Sequence, residues 1–165
     1  MILPIKWPLL ALFGVMCITS CSTNSLNDEV DDLEIKLIDY EAKTIELEIL
    51  NLINEHRKSQ GLNPLDDMDI VKSVAYSHTD YMVDNGVVSH DNFFKRSKYL
   101  KENAGAKQVS ENVAYGYSSA ESVVKAWIKS EAHKNNLEGN YTNFDISAEK
   151  NEEGKWYYTN IFIKK

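Results

Sequence analysis

The run Trp156-Tyr157-Tyr158-Thr159-Asn160-Ile161-Phe162-Ile163 has no polar side. In an extended chain successive side chains point to opposite faces, so Trp156, Tyr158 and Phe162 share one face while Tyr157, Ile161 and Ile163 share the other. Both faces are apolar and rich in β formers, which predicts a central strand covered on two sides. Before it, Tyr141 to Glu149 also reads as a strand, and Asn151-Glu152-Glu153-Gly154 reads as a polar turn between the two. A closing hairpin that must be covered, after a first half that reads as helices, predicts a layered α/β domain with a mainly antiparallel sheet and helices packed on it.

The helices follow from apolar spacing. Ile45, Ile49, Leu52, Ile53 and His56 fall on one side of a helix over 44–59, with Gly61 as its stop and Asn63-Pro64 starting an extended link. Val71, Val74, Ala75, His78 and Met82 mark a second helix from about Asp67 to Asn85, ended by Gly86. Residues 86–110 interleave polar and aromatic side chains and predict irregular chain. A third helix is signalled at Ser118, where Ser-x-x-Glu with Glu121 has the form of a capping box, and Val123, Val124, Trp127 and Ile128 supply its buried face.

The first 43 residues read differently. Lys6 gives a short positive region, and Leu9 to Thr19 is an apolar run too short to cross a membrane, which needs ~20 residues. Residues 1–20 therefore read as a secretory signal. Ile18-Thr19-Ser20-Cys21 resembles a bacterial lipobox, which would make Cys21 the lipidated residue; otherwise the signal is cut near Ser20 and Cys21 has no role. Residues 21–43 are an acidic tether whose Val30, Leu33, Leu37 and Tyr40 spacing predicts a helical stalk, leaving a domain over 44–165. With Cys17 leaving in the signal and Cys21 acylated, the domain is expected to hold no disulfide. At 165 residues and 43% hydrophobic, one monomeric domain is expected; a net charge of −7 with a pI near 5.1 offers no basic stripe for nucleic acid. An acidic chain of this kind is expected to hold a membrane through its acyl chains alone.

The chemistry concentrates in Ser89-His90, Glu111-Asn112 and Ser130-Glu131-Ala132-His133. Imidazole and carboxylate together hold divalent metals or move protons near neutral pH. His90 and His133 are candidate metal ligands, for zinc or another divalent ion, and Glu111 and Glu131 are candidate catalytic carboxylates. Glu111 is open to three roles: third ligand, base on a metal-bound water, or partner that orients a histidine. The bland readings are a loop hydrogen bond for His90, a turn at Glu111-Asn112 and a helix cap at His133. His78, on an apolar stripe, reads as a packing residue; Asn54 and Arg57 read as anchors of the first helix to nearby loops.

Taken in order, the motifs resemble the CAP domains (cysteine-rich secretory, antigen 5 and pathogenesis-related proteins). Asn54-Glu55-His56-Arg57 with Gly61-Leu62-Asn63-Pro64-Leu65 resembles the family's opening. Ser89-His90, Glu111-Asn112-Val113-Ala114 with Gly116, Trp127 to Asn136 and Tyr158-Thr159-Asn160-Ile161-Phe162 resemble its later signatures, so the likeness spans about residues 45–163. The resemblance implies an α-β-α sandwich with a surface cleft, His90 and His133 as its paired histidines and Glu111 as its first glutamate; Glu131 is a shifted substitute for the second. It also implies extracytoplasmic binding of a lipid, glycan or protein ligand; a metal-assisted hydrolase of envelope material and a non-catalytic adhesion module stand as alternatives. One departure stands out. Where the family repeats glycine before the hairpin, this chain has Asp145 and Ser147, which do not share glycine's backbone freedom. That side of the sheet is therefore expected to be reshaped.

Overall fold

The computed structural model describes Ile35, Leu37 and residues 41–165. The expected signal, Cys21 and nearly all of the predicted stalk lie outside the described residues. Nine elements follow in chain order: α1 (Thr44–Ser59), β1 (Asp66–Asp67), α2 (Asp69–Asn85), α3 (Phe93–Asn103), β2 (Gln108–Tyr115), α4 (Ala120–Lys129), α5 (Glu131–Leu137), β3 (Asn143–Lys150) and β4 (Trp156–Lys164). Among the described residues no helix is long and apolar enough to cross a membrane.

The four strands form one sheet in the order β1-β3-β4-β2. β3 and β2 flank β4 in antiparallel registers, while the two residues of β1 run parallel to the start of β3. The closing run is thus the central strand, with Tyr157 through Ile163 all buried. Its two apolar faces separate two layers. Tyr158 and Phe162 join Phe144, Ile146, Ile49, Ile53, Val123 and Trp127 in a core under α1 and α4. Ile161 and Ile163 join Val71, Val74, Ala75 and Leu100 in a second core under α2 and α3, and Tyr157 meets Met82 and Val113 in a third cluster. The molecule is an α-β-α sandwich.

Local chemistry sets the helix limits. α2 ends at Gly86, whose φ of 61° is the left-handed cap that glycine adopts without a Cβ penalty. Asn54 and Arg57 anchor α1 as expected. The Asn54 amide pairs with both polar groups of the Leu65 backbone, and the Arg57 guanidinium donates to the carbonyls of Asn63, Leu137 and Gly139. The third predicted helix begins one residue later than its signal: Ser119 is the N-cap of α4, and its reciprocal partner is Ser122, not Glu121.

Two expectations are corrected. Residues 86–110 are not irregular, because they hold α3 and the start of β2. α3 buries only Arg96 and Leu100, so no apolar period announces it. The positions of Asp145 and Ser147 do not distort the sheet either. β3 keeps continuous register with β4 from Asn143 to Lys150, and the only non-glycine residue with positive φ is Asn92 among the described residues. The two side chains are instead accommodated in the buried layer beneath α2, Asp145 6% exposed and Ser147 fully covered.

Candidate functional site

β2 is the terminal strand on one side of the sheet, and its alternation divides Glu111 from Asn112. Glu111 points to the α2–α3 face, where its side chain is almost completely buried. Burial alone would raise the pKa of such a carboxyl. The hydrogen bond from His90, together with the charge and hydrogen bonds of Arg96, outweighs that penalty and holds it below its ordinary value. Arg96, itself 1% exposed, grips both carboxylate oxygens at 2.8 Å in a bidentate fork and donates a third bond to the Asp91 carbonyl at 2.6 Å.

His90 lies on the loop between α2 and α3, and its Nδ1 sits 2.8 Å from Glu111 Oε1. An ionised carboxylate only accepts, so Nδ1 carries a proton and donates it to Glu111, leaving Nε2 as the ring's other nitrogen. The side chain is 53% exposed, so Nε2 is open to solvent. His78 is buried as expected: Nε2–H donates to the Ser89 carbonyl at 2.8 Å, lies 3.8 Å from Glu111 Oε1, and the ring stacks on Tyr81. Burial first, and then the nearby Arg96 charge, hold its pKa below the ordinary value, so it stays neutral. It supports the loop that carries His90.

The other face of β2 faces α5. Asn136 donates to the Glu111 carbonyl at 3.2 Å and to Asn112 Oδ1 at 2.8 Å, and Asn112 donates to the His133 carbonyl at 3.1 Å. Trp127 Nε1 donates to the Val113 carbonyl at 3.3 Å. These bonds tie α4 and α5 to the strand and fix where His133 stands. Its Nδ1 is 2.7 Å from Ser130 Oγ, a hydroxyl able to accept an N–H and leave Nε2 as the lone pair. Burial, and then the proximity of His90, lower the pKa of His133 and keep it neutral. Two grooves adjoin the strand: one of about 270 Å³ with His90, Phe93, Glu111 and Asn136, the other of about 290 Å³ with Tyr115, Tyr117, Trp127, Ser130 and His133.

Of the four candidates, then, His90 and Glu111 are in direct contact, and His133 is held beside them through Asn112 and Asn136. Glu131 is exposed at the start of α5 and lines neither groove. Sequence reasoning holds Ser130 and Asn136 only as members of motifs, with no role of their own, and does not reach Arg96 at all. Nothing in the sequence signals Arg96, because its burial and its partner are set by the fold. Glu111 and Asn112 lie in a strand, so the bland turn reading is set aside. His90 and His133 line separate grooves beside β2, and their Nε2 atoms are the donors a divalent metal would use there, each imidazole held through its other nitrogen. Glu111 gives both oxygens to Arg96 and one also to His90, so it holds the His90 ring in place. Among the described residues no group of three or more His, Cys, Asp or Glu side chains is disposed to hold a metal.

The family model of the Cysteine-rich secretory protein family, CAP, matches residues 50–162. The chain belongs to this family. It is 31% identical over 128 residues to the membrane protein YlbC of Bacillus subtilis, covering 74% of this chain but 35% of that protein. Among solved structures, this CAP domain is similar to an extracellular protein containing a SCP domain from Bacillus anthracis, at 27% identity and a TM-score of 0.63 over 73% of this chain and 40% of that one. It also shares the fold of an outer surface protein from Borrelia burgdorferi, at 24% identity and a TM-score of 0.64, covering 71% of this chain and 90% of that one. The chain thus spans 35% and 41% of the length of the two curated relatives, YlbC and YkwD of Bacillus subtilis.

Proposed function

We propose that this CAP domain is an extracytoplasmic, lipid-anchored binding module whose cleft takes its ligand beside a divalent cation held by His90 and His133. The observation that carries the reading is the engagement of both Nδ1 atoms, His90 with Glu111 and His133 with Ser130, which leaves the two Nε2 atoms without a protein partner. A bound cation would supply a Lewis-acidic centre for an oxygen-bearing group of the ligand. Binding is favoured over hydrolysis because Glu111, the expected base, has both oxygens engaged by Arg96 and a lowered pKa. The extracytoplasmic setting is supported by the signal-like first twenty residues, by the lipobox-like segment at Cys21, and by relatives described as an outer surface protein and an extracellular protein.

Calorimetric titration of the folded protein with Zn²⁺ at neutral pH tests the site. The expected result is saturable binding that disappears in His90→Ala and in His133→Ala; equal heats from parent and variants would refute it. Replacing Cys21 with Ala should move the protein from the membrane fraction to the soluble one, and unchanged fractionation would remove the anchor from the reading.

A further inference from the structure

The charge of the chain is not spread evenly. Residues 92–109 and 164–165 carry six Lys side chains against one carboxylate, Glu102, Arg96 being buried on Glu111, whereas the rest of residues 41–163 carry nine Lys or Arg against eighteen Asp or Glu. The fold draws this basic chain together. α3 packs beside β2; Leu100, Ala104 and Ala106 share one apolar cluster with Ile161 and Ile163; and the Lys107 amide donates to the Lys164 carbonyl at 2.7 Å. Along α3, Phe94, Lys98 and Lys101 recur at helical spacing and are all exposed. Among the described residues, none of Lys98, Lys101, Lys107, Lys164 and Lys165 forms a salt bridge.

Phe94 makes this more than a solvated charged face. It is 79% exposed, the most of any large apolar side chain among the described residues, and Val87 and Val88 are exposed on the preceding loop. The phenyl ring stands at the head of the lysine row Lys98 and Lys101 on the same helix. An aromatic residue beside lysines is the composition of a face that rests in a lipid headgroup layer. The position of the chain agrees. Ile35 packs against the same cluster beneath α3, together with Tyr99 and Val109, and it stands fourteen positions after Cys21, a reach of at most about 50 Å.

We propose that the α3 face, with Phe94, Lys98, Lys101, Lys107 and Lys164, docks the domain onto an anionic membrane surface. The expectation drawn from net charge, that an acidic protein would be held by acyl chains alone, misses this local reversal of sign. Phe93 lines the His90 groove while its neighbour Phe94 points to solvent, so docking through Phe94 places that groove at the bilayer surface, in reach of ligands carried by the membrane. The inference draws on the anchor reading only for why a membrane is near, and it stands or falls separately from it.

The test uses the Leu33–Lys165 unit, which contains the sheet, all five helices and every apolar cluster, and so has no acyl chain. Co-sedimentation is measured with vesicles of phosphatidylglycerol and phosphatidylcholine, and with phosphatidylcholine alone, at low salt. Binding to the anionic vesicles only is expected, with a loss of at least about 25-fold in Lys98→Glu/Lys101→Glu, at roughly fivefold per lysine. Lys125→Glu/Lys129→Glu, on the opposite layer, makes the same change in net charge and should leave binding intact. Phe94→Ala should weaken binding with every charge in place. Equal binding by the α3 and α4 variants, or equal binding to both vesicle types, would overturn the proposal; an unaffected Phe94→Ala would instead assign the lysines to a soluble polyanion. Zn²⁺ titration of the Lys98→Glu/Lys101→Glu variant should match the parent, which keeps this result apart from the metal proposal.

Discussion

The sheet has two outer edges, and the protein closes them in different ways. On the β3 side the unpaired backbone meets a buried ion pair. Glu46 Oε1 accepts the Ala148 amide at 2.8 Å, Lys72 Nζ donates to the Ile146 carbonyl at 2.5 Å, and the two side chains lie 2.7 Å apart. Asp145 adds its carboxylate to the Ile146 and Met68 amides, and Lys43 pairs with Glu149 further along. On the β2 side the outward carbonyls of Glu111 and Val113 are met by the neutral donors Asn136 and Trp127, and the buried charge sits one layer in, at Glu111 and Arg96. An exposed strand edge invites pairing with another chain, so both need covering. The β3 edge is closed off by charged groups from α1 and α2. The β2 edge has His90 and His133 beside it, each held through Nδ1, and that difference separates an edge closed by charge from the edge that carries the proposed site.

The largest effect that would break this contrast is expected from Glu46→Ala. It removes the carboxylate that pairs with the buried Lys72 ammonium and accepts the Ala148 amide, and urea denaturation should show a loss of about 3–5 kcal/mol, with Zn²⁺ affinity unchanged. Arg96→Met should do comparable damage to folding by leaving the Glu111 carboxylate buried with fewer partners. It should also weaken Zn²⁺ binding by about 10–100-fold through the orientation of His90. Equal loss of zinc affinity in both variants would erase the distinction between the edges.

Acidity should act on the two edges with opposite signs. Burial pushes the Asp145 carboxyl up to about 6 from an ordinary 3.8, against the pull of its two amide bonds and of Lys72. The folded state therefore binds this proton more tightly than the unfolded chain, and lowering pH from above 6 towards 4 stabilises the fold, by on the order of 3 kcal/mol. Glu111 is held below its ordinary value of 4.5, so its contribution is present above that value and is lost as pH falls beneath it. Urea midpoints across pH 3 to 8 should rise and then fall on acidification. Asp145→Asn should remove the rise, and a rise that survives would assign it to another group. The smallest effect is expected from Glu131→Gln: exposed at the start of α5, it should change stability by less than about 0.5 kcal/mol and leave zinc binding as it was.

What could be read in the sequence follows from where apolar side chains do the packing. α1, α2, α4 and the closing hairpin announce themselves because leucine, isoleucine and valine recur at the right period. β2 and α3 do not, because the buried positions that matter most there are Glu111, Asn112 and Arg96, polar groups that satisfy one another across the fold. β1 is two exposed aspartates and carries no strand signal at all. The same reason limits the site. His90, Glu111 and His133 can be chosen as polar residues in family-like motifs. Arg96 completes the site from fifteen positions before Glu111, and the fold alone brings the two together. Glu131 follows from spacing alone, and spacing does not say which way a helix start points.

β4 comes after every other element of the domain in chain order, yet each of the three apolar clusters contains one or more of its residues: Tyr158 and Phe162, Ile161 and Ile163, and Tyr157. While the polypeptide emerges from its N-terminal end, no core can close until this strand arrives. A chain destined for export would therefore stay open, and able to be threaded through a translocation channel, until its domain was almost wholly on the far side.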